Sequence, residues 1–143
     1  FIELSGEINR AMPGHVIQKT KAALEQRAED LCNAKVLVLG LAYKKNVGDP
    51  RESPAIEIID LLVKEGVNVS YTDPYFPSFP AMRNYQHTLT SITLSPLTLS
   101  GFDVVLLITD HDSFDYDLIL AHSKLIIDTR GRYRNPLTHV IRA

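Results

Sequence analysis

Four short apolar segments that alternate with helical patterns constrain the fold of this sequence most strongly. The first, KVLVLG at residues 35–40, is continuously apolar, as expected for a strand covered on both faces. Three further β-prone segments follow at residues 67–75, 102–109 and 124–130. Helical patterns lie between them, and the alternation predicts an open, mostly parallel, doubly wound α/β sheet with helices on both faces.

The helical pattern of residues 55–66 carries clear start and stop signals. Ser53 followed by Pro54 is a typical N-cap with a proline at the first helical position. Asp49 with Glu52 three residues later resembles a capping box and offers an alternative start. Gly66 suits the position just after the helix end. Either start leaves backbone N–H groups pointing toward the residues that precede the helix.

Two other segments are less regular. Residues 75–101 are rich in proline, serine and threonine, and they predict a loop with one helical turn capped by Ser95. The first 31 residues show the apolar spacing of a helix. Pro13 interrupts that spacing, which predicts two helical pieces with a break or kink near Met12.

Composition restricts the class of protein. At 143 residues the chain is one domain's worth, and its net charge of -2 provides no basic field for nucleic acid or an anionic membrane. The single cysteine, Cys32, excludes an internal disulfide and fits a reducing compartment. No segment approaches the ~20 apolar residues that cross a bilayer. We therefore expect a cytoplasmic protein, and the start at Phe1 inside a predicted helix indicates a piece of a larger one.

Ligands of such sheets bind beyond the carboxyl ends of the strands, so the stretch GLAYKKNVGDPRESPA at residues 40–55 is the first candidate site. Lys44, Lys45 and Arg51 lie close to a predicted helix start, a combination that suits a phosphate. Tyr43 offers an aromatic face to a base. The alternative remains open that the lysines are solvated and that Tyr43 belongs to the core.

A second candidate follows the fourth predicted strand. Arg130, Arg132 and Arg134 occur in the segment DTRGRYR, and an arginine fork can hold phosphate oxygens bidentately. Arg130 is closest to the strand end and is our choice. The other two arginines fit an exposed tail.

The remaining polar residues at strand ends favour structural roles. Asp73 precedes a proline and is interpreted as a turn aspartate, because no GxGxxG motif supports a ribose-binding acid. Within the trio Asp110 to Asp112, a helix cap at Asp110 or Asp112 is favoured over a metal site. Cys32 lies away from the crevice, and no nucleophile or carboxylate pair is singled out. We predict no catalytic residue and no metal site.

Several motifs, in order, resemble the C-terminal part of the UDP-glucose/GDP-mannose dehydrogenase family. They are FIELSGEINRAMPGHV, VLVLGLAYKKNVGDPRESPAIEIIDLL, YTDPYFP, TDHDSFDY and IIDTRGRY. The resemblance covers nearly the whole chain and is closest to bacterial enzymes that act on UDP-N-acetylmannosamine or UDP-N-acetylglucosamine. It implies a Rossmann-like UDP-binding domain over residues 33–143, preceded by the end of a central dimerisation helix over residues 1–32.

The resemblance also implies an activity for the whole protein. The family oxidises a sugar C6 alcohol to a carboxylate in two NAD-dependent steps, through a cysteine-bound intermediate. The GxCxPxD-type motif of the catalytic cysteine is absent from this sequence, and Cys32 does not replace it. We therefore expect this chain to be inactive alone, with NAD bound mainly by another domain, a UDP-sugar as the small-molecule partner, and a homodimer as the full-length assembly.

Matching motif positions assigns four residues by resemblance. Tyr43 corresponds to the aromatic residue that packs on uracil, and Lys44 and Arg130 correspond to residues that contact the UDP-sugar. Arg51 corresponds to an arginine that can face NAD across the interdomain cleft. The segment NVGD departs from the more acidic loop of the family.

Two rival functions can be set against this one. A stand-alone flavodoxin-like binding or signalling module needs acidic residues after the first strand to hold Mg²⁺, and residues 41–44 supply none. A purely structural dimerisation fragment would use residues 1–31 and is compatible with the first hypothesis. The sequence does not reveal which sugar is recognised.

Overall fold

The computed structural model describes residues 2–42, 44–46, 48, 53–80, 89–133 and 139–143, with residues 2–11 described by their backbone alone. The helices are α1 (Ile2–Glu25), α2 (Pro54–Lys64), α3 (Pro96–Ser100) and α4 (Tyr116–His122), with a 3₁₀ turn at Leu31–Asn33. The strands are β1 (Lys35–Leu39), β2 (Asn68–Thr72), β3 (Val104–Leu107), β4 (Ile126–Asp128) and β5 (Val140–Arg142). Among these residues, no helix is long and apolar enough to cross a membrane.

The five strands form one sheet in the order β2-β1-β3-β4-β5, and every pair of neighbours within the described part is parallel. The predicted parallel α/β sheet is confirmed. The order reverses between β1 and β3, and such a switch point opens a crevice at the carboxyl ends of the strands. The loops after β1, β2, β3 and β4 all lie at that edge.

The two faces of the sheet bury alternate residues of the same strands. Val36 and Val38 of β1 pack in one cluster with buried residues of α1 and α2. Leu37 and Leu39 pack in the other with Leu99 of α3 and residues of the α4 region. Both faces are therefore covered, which explains why β1 is continuously apolar.

The predicted caps of two helices are present. The Ser53 hydroxyl accepts the Ala55 N–H at 3.2 Å, with Pro54 at the first position of α2. Ser95 caps α3 within a complete capping box. The alternative start of α2 at residues 49 and 52 lies outside the described residues.

Helix α1 differs from its prediction. It runs without interruption from Ile2 to Glu25 with Pro13 inside it, so the predicted break into two pieces is wrong. The part of the helix after the proline buries Val16 and Leu24 in the core, and α1 packs against α2. Burial of this stretch compensates for the one ladder hydrogen bond that a proline removes.

Strand β5 was not predicted. It contains only three residues and pairs in parallel with β4, with Ile126 opposite Val140. So short a segment shows no periodicity that a sequence reading can detect. Pairing with β4 supplies its hydrogen bonds.

Candidate functional site

The loop after β1 begins at a glycine because the chain passes very close to the end of β3 there. Gly40 has φ +90°, and a Cβ on it would lie 2.5 Å from Cβ and O of Thr109. The Thr109 hydroxyl donates to the carbonyl oxygen of Ala42. Gly40 therefore permits the close approach of this loop to Thr109, which a residue with a Cβ would prevent.

Asp73, at the end of β2, holds the first residues of this loop. Its side chain is buried, and its Oδ2 accepts the N–H groups of Leu41 at 2.6 Å and Ala42 at 3.3 Å. Its Oδ1 accepts the Tyr75 N–H at 2.8 Å, which is the geometry of a turn aspartate. Burial acts to raise the pKa of Asp73, but hydrogen bonds from His111 and from the N–H groups of Tyr75 and Leu41 outweigh it and lower the pKa.

His111 links Asp73 to the far end of the same loop. Its ring is fully buried, with Nε2 2.8 Å from Asp73 Oδ2 and Nδ1 accepting the Asn46 N–H at 2.7 Å. Rings of Tyr75 and Phe114 lie 5.0 Å and 5.5 Å from it, centroid to centroid. The histidine is thus fixed by two polar and two aromatic contacts.

Asn46 closes the loop with its side chain as well. Its amide donates to Asp112 Oδ2 at 2.8 Å and accepts the Asp112 N–H at 2.9 Å. Asn46 has φ +63°, a conformation that asparagine tolerates better than most residues. The hydrogen bond from Asn46, followed by the charge of Lys45 at 3.7 Å, lowers the pKa of Asp112.

A second buried aspartate organises the loop after β4. Oδ1 of Asp128 accepts the N–H groups of Arg130 and Gly131, both at 2.9 Å, and Oδ2 accepts the N–H of Tyr133 at 2.9 Å. The Arg130 side chain is tied back by its Nε, which donates to the Ile108 carbonyl at 2.7 Å. These contacts hold the Arg130 backbone at the end of β4 and fix the direction of its side chain.

The loops after β1, β3 and β4 form the walls of a cleft of about 350 Å³ at the carboxyl edge of the sheet. It is lined by Lys45, Asp110, Arg130, Gly131 and Arg132. Three of these five residues are cationic and one, Asp110, is anionic, so the lining has a net positive charge, of a sign that suits an anionic ligand. Lys45 from the loop after β1 and Arg130 from the loop after β4 both line this cleft, whereas Lys44 does not belong to its lining.

Arg132 is exposed, in keeping with the sequence expectation, but its side chain makes defined contacts. Its guanidinium carbon lies 4.2 Å from the centroid of the Tyr116 ring, and its Nη1 lies 3.8 Å from Asp110 and 3.6 Å from Asp112. Burial raises the pKa of Tyr116, whose hydroxyl donates to the His111 carbonyl at 2.6 Å. The arginine is held against this aromatic support at the edge of the cleft.

The other sequence predictions divide as follows. Lys44 is exposed on the loop after β1, whereas Tyr43, Arg51 and Arg134 lie outside the described residues.

The expectation that Asp110 or Asp112 caps a helix is wrong, because the Asp115 carboxylate caps α4 by accepting the Leu118 N–H. Asp112 instead pairs with the β1 loop. In the part of the chain that is described, no group of three or more potential ligands could hold a metal ion.

His111, Asn46 and Asp128 were not predicted as parts of the site. His111 and Asn46 act across the 65 positions that separate them, whereas Asp128 holds N–H groups only two to five positions further along the chain. The sequence offered one clue to their role, which is position: Asp128 and His111 lie at or just after the ends of adjacent strands. Cys32 is exposed next to the amino end of β1, the edge opposite the cleft.

The fold and the site define one class of protein, an open, parallel, Rossmann-like α/β domain with a basic cleft at its strand ends. Residues 37–135 match the model of the UDP-glucose/GDP-mannose dehydrogenase family, UDP binding domain. The chain belongs to this family, and the matched segment corresponds to its C-terminal UDP-binding domain.

Individual relatives agree with the family match. An NDP-N-acetyl-D-galactosaminuronic acid dehydrogenase of Ralstonia nicotianae is 32% identical over 135 residues, which cover 93% of this chain and 30% of the relative. A UDP-N-acetyl-D-mannosamine dehydrogenase of Methanocaldococcus jannaschii is 31% identical over 139 residues, covering 92% and 29%. The solved UDP-D-ManNAc dehydrogenase of Pyrococcus horikoshii superimposes with a TM-score of 0.75 at 27% identity, covering 99% of this chain and 32% of that one. The chain thus spans about 30% of the length of these relatives.

Proposed function

We propose that this chain binds the UDP moiety of a UDP-sugar in the cleft at the carboxyl edge of the sheet. The observation that carries the proposal is the position of Arg130, Arg132 and Lys45 around one cleft in a domain that matches a UDP-binding family. A diphosphate is compact and strongly anionic, and it matches both the size and the sign of this site.

The residues have distinct roles in this proposal. Arg130, fixed at its Nε by the Ile108 carbonyl, presents a guanidinium to the nucleotide-sugar. Lys44 and Lys45 contribute charge from the loop after β1, and Tyr43 stacks on uracil. Arg51 faces NAD held by another domain. The roles of Tyr43, Lys44 and Arg51 rest on the family resemblance of their motifs.

We further propose that the whole protein is an NAD-dependent UDP-sugar 6-dehydrogenase that converts a sugar C6 alcohol to a carboxylate. The printed names of its relatives, which include UDP-N-acetyl-D-mannosamine dehydrogenases, support an N-acetylated UDP-sugar as substrate. In this proposal residues 1–32 are the end of a central helical segment that pairs two subunits, residues 33–143 hold UDP, and the reaction takes place in the cytoplasm. The chain alone is then inactive, because the catalytic cysteine motif and the main NAD site lie elsewhere.

Calorimetric titration of the chain with UDP, with NAD⁺ as the comparison ligand, tests the proposal. Replacing Arg130 or Lys44 with alanine should weaken UDP binding about tenfold or more, because each loses a charge-assisted contact. Lys124→Ala is the matched control, since it removes the same charge at the amino end of β4, where Lys124 faces Asp103 at 4.0 Å. Equal UDP affinity in all three variants would refute the site, and preferential binding of NAD⁺ would refute the assignment to UDP.

A further inference from the structure

The loop that carries Lys44 and Lys45 is anchored at both ends by one buried polar chain. At its start, the Leu41 N–H is held by Asp73. At its end, the N–H of Asn46 is held by His111, and His111 is itself bonded to Asp73. Only three residues separate Ala42 from Asn46. The two lysines therefore lie between two backbone anchors, one at Leu41 and one at Asn46.

The hydrogen bonds define the protonation state of the His111 ring. The Asn46 backbone group is an N–H, which can only donate, so Nδ1 must accept and carries no proton. A neutral ring of this kind has its proton on Nε2, and that N–H donates to the Asp73 carboxylate. The contact between His111 and Asp73 is thus a hydrogen bond between a neutral imidazole and a carboxylate.

We propose that His111 is a positioning residue for the lysine-bearing loop, described at residues 41–42 and 44–46, and that it acts as the Nε2–H tautomer with Nδ1 as the acceptor. The consequence for ligand binding rests on the proposed function, because the loop bears residues of the UDP site. No contact of His111 with UDP is invoked. The ring connects the buried Asp73 carboxylate to the Asn46 backbone through one hydrogen bond at each ring nitrogen.

Packing around the ring makes this anchor difficult to replace with water. The His111 side chain is 0% exposed, and Tyr75 and Phe114 pack against it. Among the described residues, the ionisable groups in direct contact with His111 are Asp73 at Nε2, the Tyr75 ring, and the Tyr116 hydroxyl at the His111 carbonyl oxygen. A ring protonated at Nδ1 would turn an N–H toward the Asn46 N–H, and the anchor would be lost.

Amide hydrogen exchange and ring nitrogen NMR test the proposal directly on the chain. In the wild type we expect the His111 ring nitrogens to report the Nε2–H form at neutral pH and the Asn46 amide to be protected. His111→Phe should accelerate exchange at Asn46 about tenfold or more, while the Leu41 amide, held by Asp73, changes less. His111→Gln should restore protection, because its amide can accept from Asn46 and donate to Asp73. His139→Phe is the matched control at the opposite edge of the sheet, where His139 contacts the Leu120 carbonyl.

Two results would overturn the proposal. One is a ring that is charged or protonated on Nδ1 at neutral pH. The other is unchanged protection of Asn46 when His111 lacks an acceptor. If His111→Phe does not fold, the wild-type ring state and the protection in His111→Gln decide the question in the same way.

Ligand binding gives an independent readout that separates this inference from the proposed function. UDP-glucose is the probe, because it carries both the UDP moiety and a sugar. We expect its affinity to fall about tenfold in His111→Phe and to stay near the wild-type value in His111→Gln. Equal UDP-glucose affinity in the wild type and in His111→Phe, with the loop released in the variant, would refute the positioning role. A wild type that binds neither UDP nor UDP-glucose would refute the proposed function alone, since the exchange result stands without ligand.

Discussion

Replacing Asp73 with alanine should be among the most destabilising single changes in this domain. The carboxylate accepts four hydrogen bonds, three from backbone N–H groups and one from His111, at distances from 2.6 to 3.3 Å. Alanine leaves all four donors without their partner in a region that is almost completely buried. The loop after β1 and the turn after β2 lose their common anchor together.

The magnitude follows from the number and quality of these bonds. A hydrogen bond to a charged group contributes ~1.5 to 3 kcal/mol, and a buried donor left unpaired loses ~1 to 3 kcal/mol. The Ala42 contact at 3.3 Å is weak, and water can enter the space left by the side chain, so the contributions do not add fully. We expect the free energy of unfolding to fall by about 3 to 5 kcal/mol, a large part of the ~5 to 15 kcal/mol of a typical domain.

Urea unfolding followed by circular dichroism measures this loss as a lower transition midpoint at constant slope. Asp103→Ala is the matched control. The Asp103 carboxylate also accepts a backbone N–H, that of Lys35 at 2.8 Å, but it is partly exposed at the opposite edge of the sheet. Its loss should lower the free energy of unfolding by only ~1 kcal/mol.

The pH dependence of the same variant has a defined sign. The pKa of Asp73 is lowered in the folded protein, so its contribution to stability is present above the unfolded value of ~3.9 and is lost as pH falls through the folded value. The difference between wild type and Asp73→Ala should therefore shrink in acid. A difference below ~1 kcal/mol at neutral pH, or one that grows as the pH is lowered, would refute the assignment of Asp73 as the anchor.

Three further predictions concern other parts of the molecule. Gly40→Ala should lower the free energy of unfolding by roughly 2 to 4 kcal/mol, because the new Cβ would meet Thr109 at 2.5 Å and the residue has φ +90°. Gly14→Ala in helix α1 should instead stabilise by ~0.5 to 1 kcal/mol, because its new Cβ meets no atom within 4 Å. Equal effects of the two variants in urea unfolding would contradict this. Ser53→Ala should destabilise by about 1 kcal/mol through loss of the cap of α2, and an unchanged unfolding midpoint would show that the cap contributes nothing. Burial, followed by the negative charge of Asp73, raises the pKa of Tyr71 to about 12. Stability should therefore decline as pH rises above ~10, where the unfolded tyrosine ionises, and the contribution is lost once pH passes the folded value. In an absorbance titration, Tyr71→Phe should remove one tyrosine from the transition near 12.

The sequence by itself determined the layered fold and several of its details. A continuous apolar run such as that of β1 is typical of a strand covered on both sides, and the structure covers both faces of that strand. The caps at Ser53 and Ser95 could be predicted because a cap depends on residues only two or three positions away. The family could be identified because its motifs are contiguous stretches of chain.

The tertiary structure decided what depends on long-range contact. That Pro13 lies within a continuous α1 could not be predicted from local preference, because packing of the following turns against α2 offsets the lost hydrogen bond. The roles of His111 and Asn46 could not be predicted either, because the two residues are 65 positions apart and meet only when β1 and β3 become neighbours in the sheet. Local rules determine helices, strands and caps, whereas the site is assembled by strand order, which brings distant loops to one edge of the sheet.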